Sequence, residues 1–125
     1  MWERNIAGKK SGFSLLELLF VIAIIAIIAA IAIPQYVKYR EMGYDAEARS
    51  DAKNFYTCAI AYATLNQDVI FDKDNPPAAY TGRTMIGGAF KFDTATRVIT
   101  CDARFKHQNG VTTFVVDENG NISKE

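Results

Sequence analysis

Glu17 is the only charged residue in an apolar run of 21 residues, FSLLELLFVIAIIAIIAAIAI, from Phe13 to Ile33. As a helix this run would extend about 31 Å at ~1.5 Å per residue, enough to cross a hydrocarbon core about 30 Å thick. A carboxylate in such a segment is expensive, and it marks a functional position whose partner has to be named. The expected partner is a free amine at Phe13 of a neighbouring copy, generated by a cut after Gly12. In a bundle of parallel copies the carboxylate is surrounded by Leu, Ile and Phe and must find a cation. Deleting one member of a buried ion pair costs about 3–5 kcal/mol, while the intact pair adds little net stability. The pair would therefore fix the register between copies. Adhesion would come from apolar burial, at ~25 cal/mol per Å² leaving water, and from packing where the surface leaves lipid.

The preceding residues, MWERNIAGKKSG, carry Arg4, Lys9 and Lys10 against Glu3 alone. A secretory signal places its small cleavage residue after a shorter apolar region of roughly 7–15 residues. Here the small residue, Gly12, stands before the run, so cleavage there keeps the run in the mature chain. The alternative is a single-span anchor with an uncleaved basic tail. The basic flank favours the cytoplasmic side in either case, a bias softened by Lys38 and Arg40 just beyond the run.

Lys9 to about Arg40, KKSG-FSLLELLFVIAIIAIIAAIAIPQYVKYR, resembles the amino-terminal region of type IV pilins and pseudopilins. The elements that carry the resemblance are the basic residues, Gly12 before Phe13, Glu17 at the fifth mature position and Pro34 at the twenty-second. The resemblance implies cleavage between Gly12 and Phe13 by a prepilin peptidase that also methylates the Phe13 amine. It further implies assembly into a helical filament by membrane-anchored machinery, with Glu17, Phe13 and Pro34 as assembly residues. In that family, local melting near the proline accompanies filament packing, which makes Pro34 a candidate monomer-to-filament switch; a simple kink is the alternative. After Leu65 no family motif is evident.

These residues need an α+β architecture: a long N-terminal helix, hydrophobic and membrane-spanning in its first half, packed through its second half on a small antiparallel β-sheet. Three regions follow, a leader at 1–12, a transmembrane and polymerisation helix at 13–34, and a globular head at 35–125. From Gln35 to about Leu65 only Gly43 is a poor helix former. Ala48, Ala52, Phe55, Ala59 and Tyr62 recur at spacings of three and four and form one apolar stripe to face the sheet. Asp45, Arg49 and Lys53 fall on the opposite, solvated face, with Asp45–Arg49 an attractive pair. Pro34 lacks an N–H, leaves the Ala30 carbonyl without its helical donor, and is expected to bend the helix. Pro76, Pro77, Gly82, Gly87 and Gly88 mark 66–88 as a long loop. Alternating runs at 89–92, 97–105 and 111–116 predict three or four antiparallel strands over 89–125. Asn109-Gly110 signals a tight hairpin, and 117–120 a last turn into a short edge.

Cys58, on the expected apolar side of the helix, and Cys101, in the second expected strand, are the only cysteines. In an exported, oxidising setting they are expected to form a disulfide; two reduced core thiols are the alternative. The bridge would close a 44-residue loop and stabilise the head by roughly 4 kcal/mol in the chain-entropy description.

Little else points to chemistry. His107 is the only histidine and falls in an expected turn, so no Ser/His/Asp or Cys/His arrangement forms and the chain reads as no enzyme. Asp72-Lys73-Asp74-Asn75 offers oxygen ligands without an EF-hand pattern, so no metal or other cofactor is expected. Asn121-Ile122-Ser123 fits a glycosylation triplet. The chain is formally neutral, and no basic patch interleaved with aromatics suggests nucleic acid. The leading expectation is a major pilin: an inner-membrane precursor, then a homopolymeric extracellular type IV pilus acting in adhesion or twitching motility. A type II secretion pseudopilin or minor pilin is the alternative, and a membrane-tethered module that never polymerises is the third.

Overall fold

The computed structural model describes residues 12–65 and 68–125. The chain divides into two units, the first ending at Tyr36 and the second running from Val37 to Glu125.

Helix α1 spans Leu15–Ala63. Its start is fixed by a reciprocal pair of hydrogen bonds. The Glu17 N–H donates to Ser14 Oγ at 3.1 Å, and the Ser14 N–H donates to Glu17 Oε2 at 3.2 Å. This capping box satisfies two of the donors that a helix start leaves open. The helix continues through Pro34 and closes where the Thr64 N–H donates to the Ile60 carbonyl and that of Leu65 to Tyr62, close to the expected end. In the first unit, the most apolar part of α1 is long and apolar enough to cross a membrane, and none of it is buried.

In the second unit, α1 buries Ala48, Ala52, Phe55, Ala59 and Ala63. Four of these are the stripe expected from spacing; Tyr62 is half-buried beside it and packs edge-on to Phe71 with ring centroids 5.5 Å apart. Four alanines keep this face of the helix flat, and Phe55 fills the space beside them, packing against Phe105 and Tyr80 with ring centroids 5.5 Å apart in each case. Fully burying a side chain of that size contributes about 1.5–3 kcal/mol.

Seven strands cover this stripe: β1 (Val69–Asp72), β2 (Met85–Gly87), β3 (Ala89–Asp93), β4 (Val98–Cys101), β5 (Ala103–Phe105), β6 (Phe114–Val116) and β7 (Ile122–Lys124). They form two antiparallel sheets, β1-β3-β4 and β2-β5-β6-β7, so the α+β expectation holds. Three details differ from it. The described part of 66–88 is not one long loop, because it contains β1 and β2. The single sheet is two sheets. The run 97–105 is cut at Asp102, where the chain passes from the first sheet to the second.

Gly88 makes that crossing possible. Its φ is +77°, and a Cβ there would lie 2.1 Å from the Asp102 carbonyl oxygen; only glycine tolerates both. Asp102 secures the junction, accepting the Ala89 N–H on Oδ1 at 2.8 Å and donating its own N–H to the Ala89 carbonyl at 3.1 Å. The β2–β3 and β4–β5 crossings therefore meet at one point. Asn109-Gly110 does form a turn, closed by the Gly110 N–H on the His107 carbonyl at 2.9 Å. It sits inside a longer β5–β6 connection and is not a two-residue hairpin. The turn at 117–120 leads into β7 as expected.

Candidate functional site

The candidate site is the start of α1. Gly12 and Phe13 precede the helix and are exposed, Phe13 to 85%, and nothing lies within 4 Å of where a Gly12 Cβ would be. A peptide bond in this setting is open to a protease. One turn into the helix, the Glu17 carboxylate uses Oε2 to accept the Ser14 N–H. Oε1 takes no hydrogen bond among the described residues, which leaves one oxygen for an external donor. Leu15, Leu16, Leu18 and Phe20 around it are exposed. The arrangement is thus an anion, half-satisfied by its own helix, within an apolar surface that has no partner among the described residues. Pro34 lies in the same unit. Residues 1–11, which hold the basic leader residues, lie outside the described residues.

Sequence reasoning missed Ser14. The signal was present, since Ser three residues before Glu at the head of an apolar run is the capping-box pattern. A helix held at both Ser14 and Glu17 fixes where the carboxylate projects relative to Phe13.

The cysteines are not brought into a bridge: Cys58 and Cys101 are both free thiols, each half-buried. Cys101 packs against the core from β4, but Cys58 is not among the side chains that do. It turns instead towards Asn54, with Sγ 3.4 Å from Oδ1. Burial pushes the Cys101 thiol above its ordinary pKa.

Two carboxylates of α1 are attachment points: Asp45, from the face expected to be solvated, and Asp51, for which no expectation was drawn from sequence. Asp45 makes no ion pair with Arg49. Its Oδ1 accepts the N–H groups of Val111 and Thr112 at 3.0 and 3.1 Å and pins the β5–β6 connection. Burial pushes the Asp45 carboxyl up, but the hydrogen bonds from Thr112 and Val111 outweigh it and hold the group below its usual value. Asp51 Oδ2 accepts from the Arg83 N–H (2.9 Å), the Thr84 N–H (3.1 Å) and the Thr84 hydroxyl (2.8 Å). Gly82 permits this approach, because a Cβ there would meet Asp51 Cγ at 2.5 Å.

Asp72 caps its own turn, Oδ1 accepting the N–H groups of Asp74 and Asn75. Among the described residues no group of three His, Cys, Asp or Glu side chains could hold a metal ion. Asn121 Nδ2 donates to Asp117 Oδ2 at 3.0 Å. His107, expected in a surface turn, is half-buried. Its ring stacks on Tyr44 at 4.4 Å and 4°, and Nε2 lies 3.6 Å from Glu47.

The described residues thus combine a helix with an unburied apolar half, a small head of two sheets and an exposed Gly-Phe junction one turn before a carboxylate. Residues 8–33 match the family model described as the prokaryotic N-terminal methylation motif. This is the leader signature of type IV pilins and prepilins, and it supports a type IV pilin-like or pseudopilin precursor. The motif implies processing by prepilin peptidase and insertion in the membrane, and together with the apolar helix it fits an inner-membrane precursor. The family it marks is structural and not enzymatic. The match ends before the head, and no curated protein or solved structure matched the chain.

Proposed function

We propose that the chain is the major structural subunit of an extracellular type IV pilus. After cleavage between Gly12 and Phe13, the new Phe13 amine is methylated and the subunit waits in the inner membrane. Assembly transfers it into a helical homopolymer in which the amine of one copy meets the open oxygen of Glu17 on another. The observation that carries this reading is Glu17 itself: among the described residues, a carboxylate with one oxygen capped by Ser14 and the other without a donor, on a helix surface that nothing covers. In the lone subunit the capping bond spares the carboxylate part of its burial penalty. In the polymer, the amine supplies the counter-charge. The contact is heterologous and does not close on itself, so copies add without limit. Pro34 remains the proposed place where the helix loosens during packing, since the Ala30 carbonyl has no helical donor to lose.

A short secretion piston, as built by pseudopilins, is the second reading. A disulfide-closed head and a long loop would have favoured a surface pilus. With both cysteines free thiols in the structure and β1 and β2 folded within 66–88, neither feature adds support for one reading over the other.

Electron microscopy of material sheared from cells tests the proposal. Wild-type cells should yield abundant fibres made of this chain. Glu17→Ala should yield none or very few, while the processed subunit accumulates in the membrane at the normal level. Fibres of normal number and length from Glu17→Ala would overturn the pairing, and cells with no fibres of this chain at all would favour the piston.

A further inference from the structure

One face of the head gathers positive charge that the rest of the fold does not neutralise. A groove of about 650 Å³ is lined by Lys73, Arg83, Lys106 and His107, with Glu47 its only acidic residue. That volume lies within the range of small-ligand sites, roughly 300–1,000 Å³. Among the described residues Lys73, Arg83 and Lys106 form no ion pair, and Glu47 is turned to the His107 ring. The lining side chains therefore sum to a formal charge of +2 with His107 neutral, and the nearby Asp51 carboxylate is taken up by the Arg83 and Thr84 N–H groups and the Thr84 hydroxyl.

The cations come from three distant segments, the end of β1, the approach to β2 and the exit of β5, so no run in the sequence announces them. Their backbones are held in place. The Arg83 N–H is bound by Asp51 at 2.9 Å, the Lys106 N–H donates to the Thr84 carbonyl at 2.7 Å, and the His107 ring lies flat on Tyr44. Charged donors converging from a fixed frame cost little reorganisation on binding, and an arginine fork with two ammonium groups suits a compact multivalent anion.

We propose that this groove is a binding site for a phosphomonoester or diphosphate group, with Arg83 and Lys106 as its principal contacts and Lys73 closing one side. The inference does not depend on the filament reading, since every residue in it belongs to the head.

The test is a titration of the full processed chain, in micelles of a neutral detergent at low salt, with inorganic pyrophosphate, followed by backbone amide NMR shifts. Saturable shifts confined to residues lining the groove, around 73, 83–87 and 106–108, are expected. The double variant R83Q/K106Q should weaken binding at least about tenfold, the effect of losing roughly 1.4 kcal/mol of charge-assisted contact. K91Q, outside this groove, should bind like wild type. If the double variant loses the folded amide pattern, K73Q alone should still weaken binding by about threefold or more. Micelles doped with phosphatidic acid separate two sources of the same group: shifts with pyrophosphate alone identify a soluble ligand, and shifts with the lipid a headgroup. No saturable shift with either probe below about 10 mM, weaker than any specific site of this size requires, overturns the proposal. So does equal affinity in wild type and R83Q/K106Q.

Discussion

Asp51→Ala isolates what holds the second sheet to the helix. In the folded head Asp51 Oδ2 accepts three hydrogen bonds, two of them from Thr84, which is 3% exposed. The substitution leaves the Thr84 N–H and hydroxyl buried without a partner, at about 1–3 kcal/mol for each group left unpaired. The Arg83 N–H is exposed and recovers water. The expected loss is about 2–4 kcal/mol, a large share of the ~5–15 kcal/mol that a small domain has. With a urea m-value of ~1–3 kcal/mol/M, the midpoint should fall by about 1–2 M. Asp51→Asn retains one acceptor oxygen and should lose roughly half as much. Near-ultraviolet circular dichroism of the purified chain in micelles would follow the transition through the Phe55, Tyr80 and Phe105 cluster beside this clamp. Amide exchange at Thr84 should accelerate in parallel. A midpoint within about 0.3 M of wild type for Asp51→Ala would refute the claim that this carboxylate secures β2.

Two further outcomes follow from titratable groups in the head. Hydrogen bonds from Thr94 hold the exposed Asp68 carboxyl below its usual value, and those from Asn121 do the same for Asp117; Asp45 is lowered on balance by Thr112 and Val111 against the opposing effect of burial. Carboxyls lowered on folding stabilise the head above the ordinary carboxylate pKa of about 4, and that contribution is lost as pH falls through the lower folded values. The urea midpoint should thus be flat from neutrality to about pH 5 and fall below about pH 4, less steeply in Asp45→Asn; a midpoint that rises on acidification would contradict the assignment. Iodoacetamide should label Cys58 before Cys101 at mildly alkaline pH, because burial suppresses the Cys101 thiolate,. Peptide mass mapping with the reverse order, or with neither thiol labelled, would contradict the free and unequal thiols.

Much of this architecture was legible because long elements repeat their signals. The apolar run, its single carboxylate and the Ala48, Ala52, Phe55, Ala59 stripe each rest on periodicity sustained over many residues. The strands β1 and β2 carry three or four residues each, embedded among Pro, Gly and Asp, where alternation is too brief to outweigh turn-forming neighbours. The change of sheet at Asp102 depends on Gly88, which meets it from 14 positions away; no local pattern encodes such a meeting. Asp45 was misplaced, and Asp51 passed over, for a related reason. Helical spacing says which face a carboxylate occupies, but not that a distant loop presents two N–H groups to it. The capping box at Ser14 was readable and was overlooked beside the more conspicuous question of what Glu17 meets in another chain. The cysteine bridge was inferred from compartment and from the expected elements of Cys58 and Cys101, neither of which says in which direction Cys58 points.

The central claim is that a terminal amine at Phe13 exists in the assembled state to meet Glu17. Intact-mass spectrometry of the chain recovered from purified fibres tests it most directly. The mass should correspond to residues 13–125 carrying one methyl group at the new amino terminus. Fibres whose subunits still carry residues 1–12 would contradict the account, because the proposed cation would then be an amide.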